Sequence, residues 1–364
     1  MSTRPLHLMR PLHGLRLALV AGCAGGAVPE AVVPASAGEA SPAGASTPEP
    51  PPRPLSPLTS EEQELRGQLE KEVGAIAELG PRSLAHTWNL YSATDHVARR
   101  LEILGYEVGR QGFPVGEEVL QNLEVVVPGK SAPTLVVAAH YDTNAESPGV
   151  NASASGAAVL LTLAQRLAGR HLERSLRMVW LCNEVSKEVG SDGKAVGTEG
   201  KAAGLPGSAV YARHVQQAQV PVLATLTLGS LGYYSVSTGS QRYPEELLFG
   251  AERRTQFGDF IGVLSNAGSN SLLEQLRPVL SAASLPVEEL ILPENAPLAA
   301  EGPQARFWNA GLPGLLLTDT AQFRSAHFDD AQDTLDKLDF DRLARVARLV
   351  DQIVITLAGP LEAR

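Results

Sequence analysis

Two short stretches of the chain carry residue types able to do chemistry. "VVAAHYDT" (136–143) places His140 and Asp142 two residues apart at the end of an apolar run, and "PGVNASASG" (148–156) follows with a turn and small polar residues. An imidazole in such a place can hold a metal while the carboxylate holds its other ring nitrogen. The plainer alternative is a strand-end His beside a turn-forming Asp, and for an isolated His-x-Asp triplet the plainer alternative is the better one. Two further acidic groups follow apolar runs: Glu184, after "RMVWLC" (177–182) and Asn183, and Asp319, after "GLLLT" (314–318).

The elements that must position these groups are read from periodicity. "TLVVAA" (134–139), "RMVWLC", "VLATLTL" (222–228) and "GLLLT" are short and continuously apolar, as strands covered on both faces should be. Between them lie helical patterns, "SGAAVLLTLAQRLAG" (155–169) and "SNSLLEQLRPVLSAA" (269–283), and the chain closes with "DFDRLARVARLVDQIVITLAG" (339–359). Ahead of them, "TSEEQELRGQLEKEVGAIAELGP" (59–81) predicts a helix with a capping box from Ser60 to Gln63, and "SATDHVARRLEILG" (92–105) a second helix closed by Gly105. Alternating strand and helix predicts an α/β fold in one domain, a mixed, mostly parallel sheet flanked by helices. Sites in such sheets gather beyond the carboxyl ends of the strands, where His140, Asp142, Glu184 and Asp319 stand.

The 364 residues are 44% hydrophobic and 19% charged, enough for one large core, and the net charge of −10 gives no electrostatic footprint for nucleic acid. No apolar run reaches the roughly 18 residues that a membrane-spanning helix needs. The first 23 residues differ from the rest, with Arg4, Arg10 and Arg16, a brief apolar stretch, and small residues before Cys23. This pattern is that of a secretory signal, and "LVAGC" (19–23) resembles the lipobox in which the cysteine becomes lipidated. The short, Arg-interrupted apolar stretch leaves a misplaced start as the alternative. Residues 24–57, rich in Ala, Pro, Ser and Gly, read as a disordered tether, and the folded body is expected over 58–364. Cys23 and Cys182 are the two cysteines, so the body has no disulfide framework, and Cys182 is expected to pack as a small hydrophobe.

Several blocks in fixed order change the odds on the His-x-Asp triplet. "VVAAHYDT…SPGVNASASG", "NE" after a strand, "LGYYSVSTGSQRYP", "FGDFIGVLSN", "FWNAGLPGLLLTDTAQFRSAHF" and "DTLDKLDFDRLARV" together resemble the di-zinc aminopeptidase superfamily. That superfamily includes bacterial leucyl aminopeptidases and glutaminyl cyclases, and the resemblance covers residues 60–360. It implies a zinc-exopeptidase-like (phosphorylase/hydrolase-like) fold. It also implies two zinc ions about a bridging carboxylate and water, with one Glu as general base. By resemblance the first ligand His falls on His140, with Asp142 behind it, and the general base on Glu184. The bridging Asp falls on Ala152, an acidic ligand on Val185, another on Gly229, and the last ligand His on Asp329. "GPQ" (302–304) replaces a further family triplet.

One ligand position of five is thus retained and a second exchanged. Zinc needs three or four protein ligands, so neither half-site can hold its metal in the family's manner. Loss of carboxylates together with cations relieves repulsion, leaving His140, Asp142, Glu184 and Asp329 free to satisfy one another. The expectation is an inactive homologue without bound zinc, or at most one weakly held metal. It is expected to be exported, anchored through Cys23, and to bind a peptide or protein in the former cleft. Two alternatives stand beside it: an aminopeptidase with a single metal on His140, Asp329 and Glu184, and a structural envelope protein without a ligand. The Gly- and Lys-rich loop 185–208 is expected to be mobile, a lid or partner surface at one extreme and a tolerated insertion at the other. Ser153 and Ser155 are expected as helix caps rather than nucleophiles, and no G-x-S-x-G, Walker or G-x-G-x-x-G motif is present.

Overall fold

A computed structural model of the chain describes residues 54–185, 204–244, 254–293 and 302–360, with Pro52, Leu247 and strand residues 188–189 and 195–196. All of these belong to one compact unit, Glu49–Arg364. Cys23 and residues 24–51 lie outside the described residues, as does most of the loop after Glu184.

Strands β1 (Gly109–Val115), β2 (Glu118–Val127), β3 (Gly129–His140) and β4 (Leu172–Leu181) precede β5 (Glu188–Val189) and β6 (Ala195–Val196), which pair only with each other. Then come β7 (Val222–Leu228), β8 (Ile261–Asn266), β9 (Val287–Leu292) and β10 (Gly314–Thr318). The main sheet has eight strands in the order β1-β2-β4-β3-β7-β10-β8-β9. Its central ladder, β4-β3-β7-β10, is parallel throughout, whereas β1, β2 and β8 run against their neighbours on the β4 and β10 sides.

Side chains alternate across a strand, and β3 shows why its run is continuously apolar. Leu135, Val137 and Ala139 face one layer, with helices α1 (Ser60–Ala77), α2 (Thr87–Ile103), α3 (Ser155–Leu167), α5 (Asn270–Ser281) and α7 (Phe340–Ala358). Val136 and Ala138 face the other, where Tyr211, Ala212 and Val215 of α4 (Gly207–Gln217) and Phe307 of α6 (Gly302–Asn309) pack. Both faces are covered, so polar chemistry is confined to the strand ends. Among the described residues no helix is long and apolar enough to cross a membrane.

Three expectations shift. The capping box of α1 is formed by Thr59 and Glu62, one residue before Ser60 and Gln63. Glu62 N donates to Thr59 Oγ1 (3.2 Å) and Thr59 N to Glu62 Oε2 (2.8 Å), while Ser284 Oγ donates to Glu62 Oε1 (2.6 Å), a tertiary contact that chooses between adjacent hydroxyls. Helix α2 begins at Thr87 rather than Ser92, because its buried stripe (Leu90, Ala93, Val97, Leu101) starts upstream of the expected boundary. Residues 54–57, assigned to the tether, lie on the body: Leu55 packs against the core and Ser56 O accepts from Arg345.

Candidate functional site

The parallel ladder sets the register of the site. His140 ends β3 opposite Leu181 of β4, Ala139 lies opposite Leu228 of β7, and Leu228 lies opposite Leu317 of β10. Residues just past these partners therefore meet at one edge of the sheet. His140, Ala152, Glu184, Val185, Gly229 and Asp329 all line a single cleft of about 380 Å3 there. Six positions singled out along 190 residues of sequence converge on one wall.

His140 Nδ1 lies 3.1 Å from the backbone oxygen of Asp142 and 3.3 Å from its Oδ1, the arrangement expected of an imidazole held from behind. Burial works against a charged imidazole. The Asp142 carboxylate, with Glu184 and Asp329, outweighs it and holds His140 above its ordinary pKa. Asp142 is itself buried, and its Oδ2 accepts from the backbone N–H groups of Glu184 (2.7 Å) and Val185 (3.0 Å).

Glu184 does not face His140 as a partner. Its Oε1 accepts from Ser208 N (2.5 Å) and its Oε2 from Ser208 Oγ (2.8 Å), in the first turn of α4. Burial, then the neighbouring Asp142 charge, pushes its carboxyl up to about 7. The expected mutual satisfaction of the four polar groups is therefore corrected. His140 and Asp142 pair, but Glu184 caps a helix, because the orphan N–H and the hydroxyl of Ser208 at the start of α4 supply a donor to each of its oxygens. Asp329 sits at φ +60°, and its backbone oxygen accepts from Asn144 Nδ2 (2.6 Å).

The turn carrying Ala152 departs from expectation in a second way. Residues Val150–Ala154 form a wide helical turn before α3, and neither Ser153 nor Ser155 caps it. Ser155 Oγ donates back to Asn151 O (2.6 Å) and Ser153 Oγ reaches His140 O (3.4 Å). The cap is Asp333, whose Oδ1 and Oδ2 accept from Asn151 N (2.8 Å) and Ala152 N (3.0 Å). Sequence reading missed Asp333 because a cap supplied from 180 residues away leaves no local pattern. Asp319 is also a scaffold group rather than a cleft-lining one: its Oδ2 accepts from Asn151 Nδ2 and Tyr233 N, both at 2.8 Å, and its Oδ1 from Ala321 N (2.9 Å).

Burial pushes the Asp333 carboxyl up to about 6. A carboxyl with a folded pKa above its unfolded value keeps its proton longer in the native state, so its contribution is present below the unfolded pKa and is lost as pH rises through about 6. Stability is expected to fall between about pH 4 and pH 6 in proportion to this group. Thermal melts at pH 4, 5, 6 and 7 of the native protein and of Asp333→Asn check this, the variant having the flatter profile.

A sequence model of peptidase family M28 matches residues 122–354, more than half of the chain. The chain belongs to peptidase family M28. Its relatives include the uncharacterised protein YfbL of Escherichia coli K12, 26% identical over 300 residues that span 80% of this chain and 87% of YfbL. In solved structures the M28 chain has the fold of Legionella pneumophila LapA (TM-score 0.61, 15% identity, 84% of this chain and 79% of LapA). It is similar also to Fimbriiglobus ruber glutaminyl cyclase (0.59, 17%, 85% and 99%) and to a leucine aminopeptidase precursor of Bacteroides thetaiotaomicron (0.59, 15%, 79% and 96%). The mixed sheet with helices on both faces is thus the M28 fold that the resemblance implied.

The zinc pair implied for M28 does not fit this donor set. Ala152 offers a methyl group, Val185 a hydrocarbon and Gly229 no side chain, though all three line the cleft. Among the described residues no three His, Cys, Asp or Glu side chains converge to hold a metal ion. Zinc ligation needs such convergence, and of the two carboxylates on the cleft wall, Glu184 and Asp329, the first is committed to the start of α4.

Proposed function

We propose that this M28 protein is a non-catalytic homologue whose cleft binds a peptide or a segment of another protein. One observation carries the reading: all five ligand positions of the resemblance and the general-base position line one open cleft, yet three of the ligand positions have no donor atom. The commitment of both Glu184 oxygens to Ser208 supports it, since a general base must be free to accept a proton from water. The cleft is concave and within the size range of ligand sites, which weighs against a purely structural role.

A second reading, a hydrolase with one metal on His140, Asp329 and Glu184, has in its favour that these three line the same cleft. It would require Glu184 to leave Ser208 and would spend the general base as a ligand. Dialysis of the full chain against zinc, elemental analysis and assay of aminoacyl-nitroanilide hydrolysis decide between them. The non-catalytic reading expects less than about a tenth of an equivalent of zinc and no turnover, because a family-like site fills stoichiometrically. Turnover with added zinc that disappears in Glu184→Gln would overturn it.

The same reading includes export and a lipid anchor on Cys23 followed by a tether. Detergent-phase partitioning of the native protein made in a bacterial host, lost in Cys23→Ser, is the expected result. Equal aqueous partitioning of both proteins would remove the anchor from the reading.

A further inference from the structure

We infer that Arg242 holds the free carboxylate at the end of a short peptide whose last side chain is apolar. This rests on the peptide-binding reading above and names the end of the peptide that the cleft takes. Arg242 lines the cleft, and among the described residues no other arginine or lysine does. Its backbone N–H donates to Phe323 O (2.8 Å) and its Nη2 to Gln322 O (2.7 Å), and both of those residues line the cleft as well. One corner of the guanidinium fork is thereby held on the cleft wall. Arg242 is exposed, and with the described residues its guanidinium makes that one hydrogen bond and no ion pair. The other arginines of this wall differ. Arg324 is buried, lies 4.6 Å over the Phe260 ring and donates from Nε to Gln241 Oε1 (2.9 Å). Arg254 lies 5.4 Å over the Tyr243 ring and donates from Nε to Leu247 O (2.8 Å). Those two build the wall, whereas Arg242 presents donors at its surface.

An accessible guanidinium in a cleft calls for an anion, and the neighbouring wall limits which one. Tyr243, next in sequence, packs with Leu247, Leu264 and Leu290, and all four line the cleft. Apolar surface beside the cation takes an apolar group that carries the anion. A planar carboxylate matches the guanidinium fork with two parallel hydrogen bonds. A phosphate dianion would keep excess negative charge in a cleft that Glu184 and Asp329 also line, whereas a carboxylate is neutralised by the single cation. A volume of about 380 Å3 is at the lower end for ligand sites, which suits one short peptide end. The last residue of a peptide offers both groups at once, a carboxylate and a side chain on the same carbon. A fatty acid offers a similar pair, and the test separates the two.

The test measures binding of Ala-Ala-Leu, its C-terminal amide, Ala-Ala-Gly and octanoate to the full-length protein by calorimetry, with Arg242→Gln and Arg242→Lys alongside. Ala-Ala-Leu is expected to bind about ten-fold more tightly than its amide, the size of one charge-assisted contact. It should exceed Ala-Ala-Gly by about ten-fold as well, through burial of the leucine side chain. Arg242→Gln should equalise acid and amide while keeping the amide's affinity and the native Tm. Arg242→Lys should keep a smaller preference for the acid, since an ammonium retains the charge and loses the fork. Equal binding of acid and amide to the native protein, or a preference that survives in Arg242→Gln, overturns the carboxylate assignment and leaves peptide binding standing. Equal binding of Ala-Ala-Leu and Ala-Ala-Gly overturns the apolar last residue. Octanoate binding that is lost in Arg242→Gln, without binding of any peptide, keeps the carboxylate site and overturns the peptide reading. No binding of any probe overturns both.

Discussion

Replacing Ala152 by Asp, Val185 by Glu, Gly229 by Glu and Asp329 by His together is expected to raise zinc content from less than about a tenth of an equivalent to about two equivalents after dialysis. The expectation follows from where the four positions stand. All line the same cleft as His140, so the new side chains would open into one shared space. Ala152 already directs a Cβ from a capped, buried turn, and lengthening it to a carboxylate leaves its backbone bond to Asp333 untouched. Gly229 is the position of the four that must gain a Cβ. A Cβ built there lies 3.3 Å from Leu316 Cδ1, the far end of a flexible side chain that can give by a few tenths of an ångström, and 3.4 Å from Leu317 O, an ordinary van der Waals contact. Ala152→Asp alone should stay below one equivalent, because a bridging carboxylate with His140 makes only two ligands. Elemental analysis of the single and fourfold variants reads the result. A fourfold variant that folds with a native-like melt and takes up no zinc would mean that the frame itself, and not only its donors, has departed from the family's geometry.

Arg82→Ala is expected to destabilise the protein by about 3–5 kcal/mol, the range for stranding groups around a removed buried charge. Arg82 is fully buried, and its guanidinium is spent almost wholly on main-chain oxygens, among them those of segments next to His140 and Ala152. Nε donates to Tyr141 O (2.7 Å), Nη1 to Gly80 O and Pro148 O (both 2.8 Å), and Nη2 to Gly149 O (3.3 Å). Burial lowers its pKa to about 10, with Asp142 and Asp333 opposing the change, so it remains charged at neutral pH. Removing it takes the guanidinium donor from the buried Tyr141 carbonyl and from the half-buried Gly80 and Pro148 carbonyls, and takes an opposing charge away from the buried Asp142 and Asp333. Arg82→Lys should recover only part of the loss, since a single ammonium cannot span acceptors that a planar fork reaches in several directions. Urea unfolding gives the answer as a shift in midpoint at unchanged slope. A shift below about 1 kcal/mol would show that these carbonyls find water or other donors.

Arg82 also marks what sequence reading could and could not see. It stands next to the helix-ending Gly80-Pro81, where a lone arginine carries no pattern, and its acceptors are backbone atoms whose identity no side chain announces. Asp333 was legible only as part of a block of family-like sequence, and its work as the cap of the 150–154 turn depends on the segment ahead of α7 coming back to that turn. Ser208 likewise gave no sign that it would take both oxygens of Glu184.

The central strands, by contrast, were legible to within a residue for β7 and β10, since continuous apolar runs bounded by turn residues leave a two-sided strand as the ready solution. Helices α3 and α7 were equally clear, α7 from a stripe that recurs at helical spacing and α3, buried nearly all round, from a run of small and aliphatic residues longer than most strands. From these alone the chain determined its fold class and the edge at which polar groups would gather, and the resemblance added three family positions, Ala152, Val185 and Gly229, without a donor. Tertiary structure decided the rest: that those positions share one cleft, that Glu184 and Asp333 are helix caps, and that Arg82 pins the wall behind them. The division has a physical cause. Apolar periodicity is a property of neighbours along the chain, whereas the partner of a buried polar group is whichever atom the packed core brings within about 3 Å, and that distance is set only after the sheet has formed.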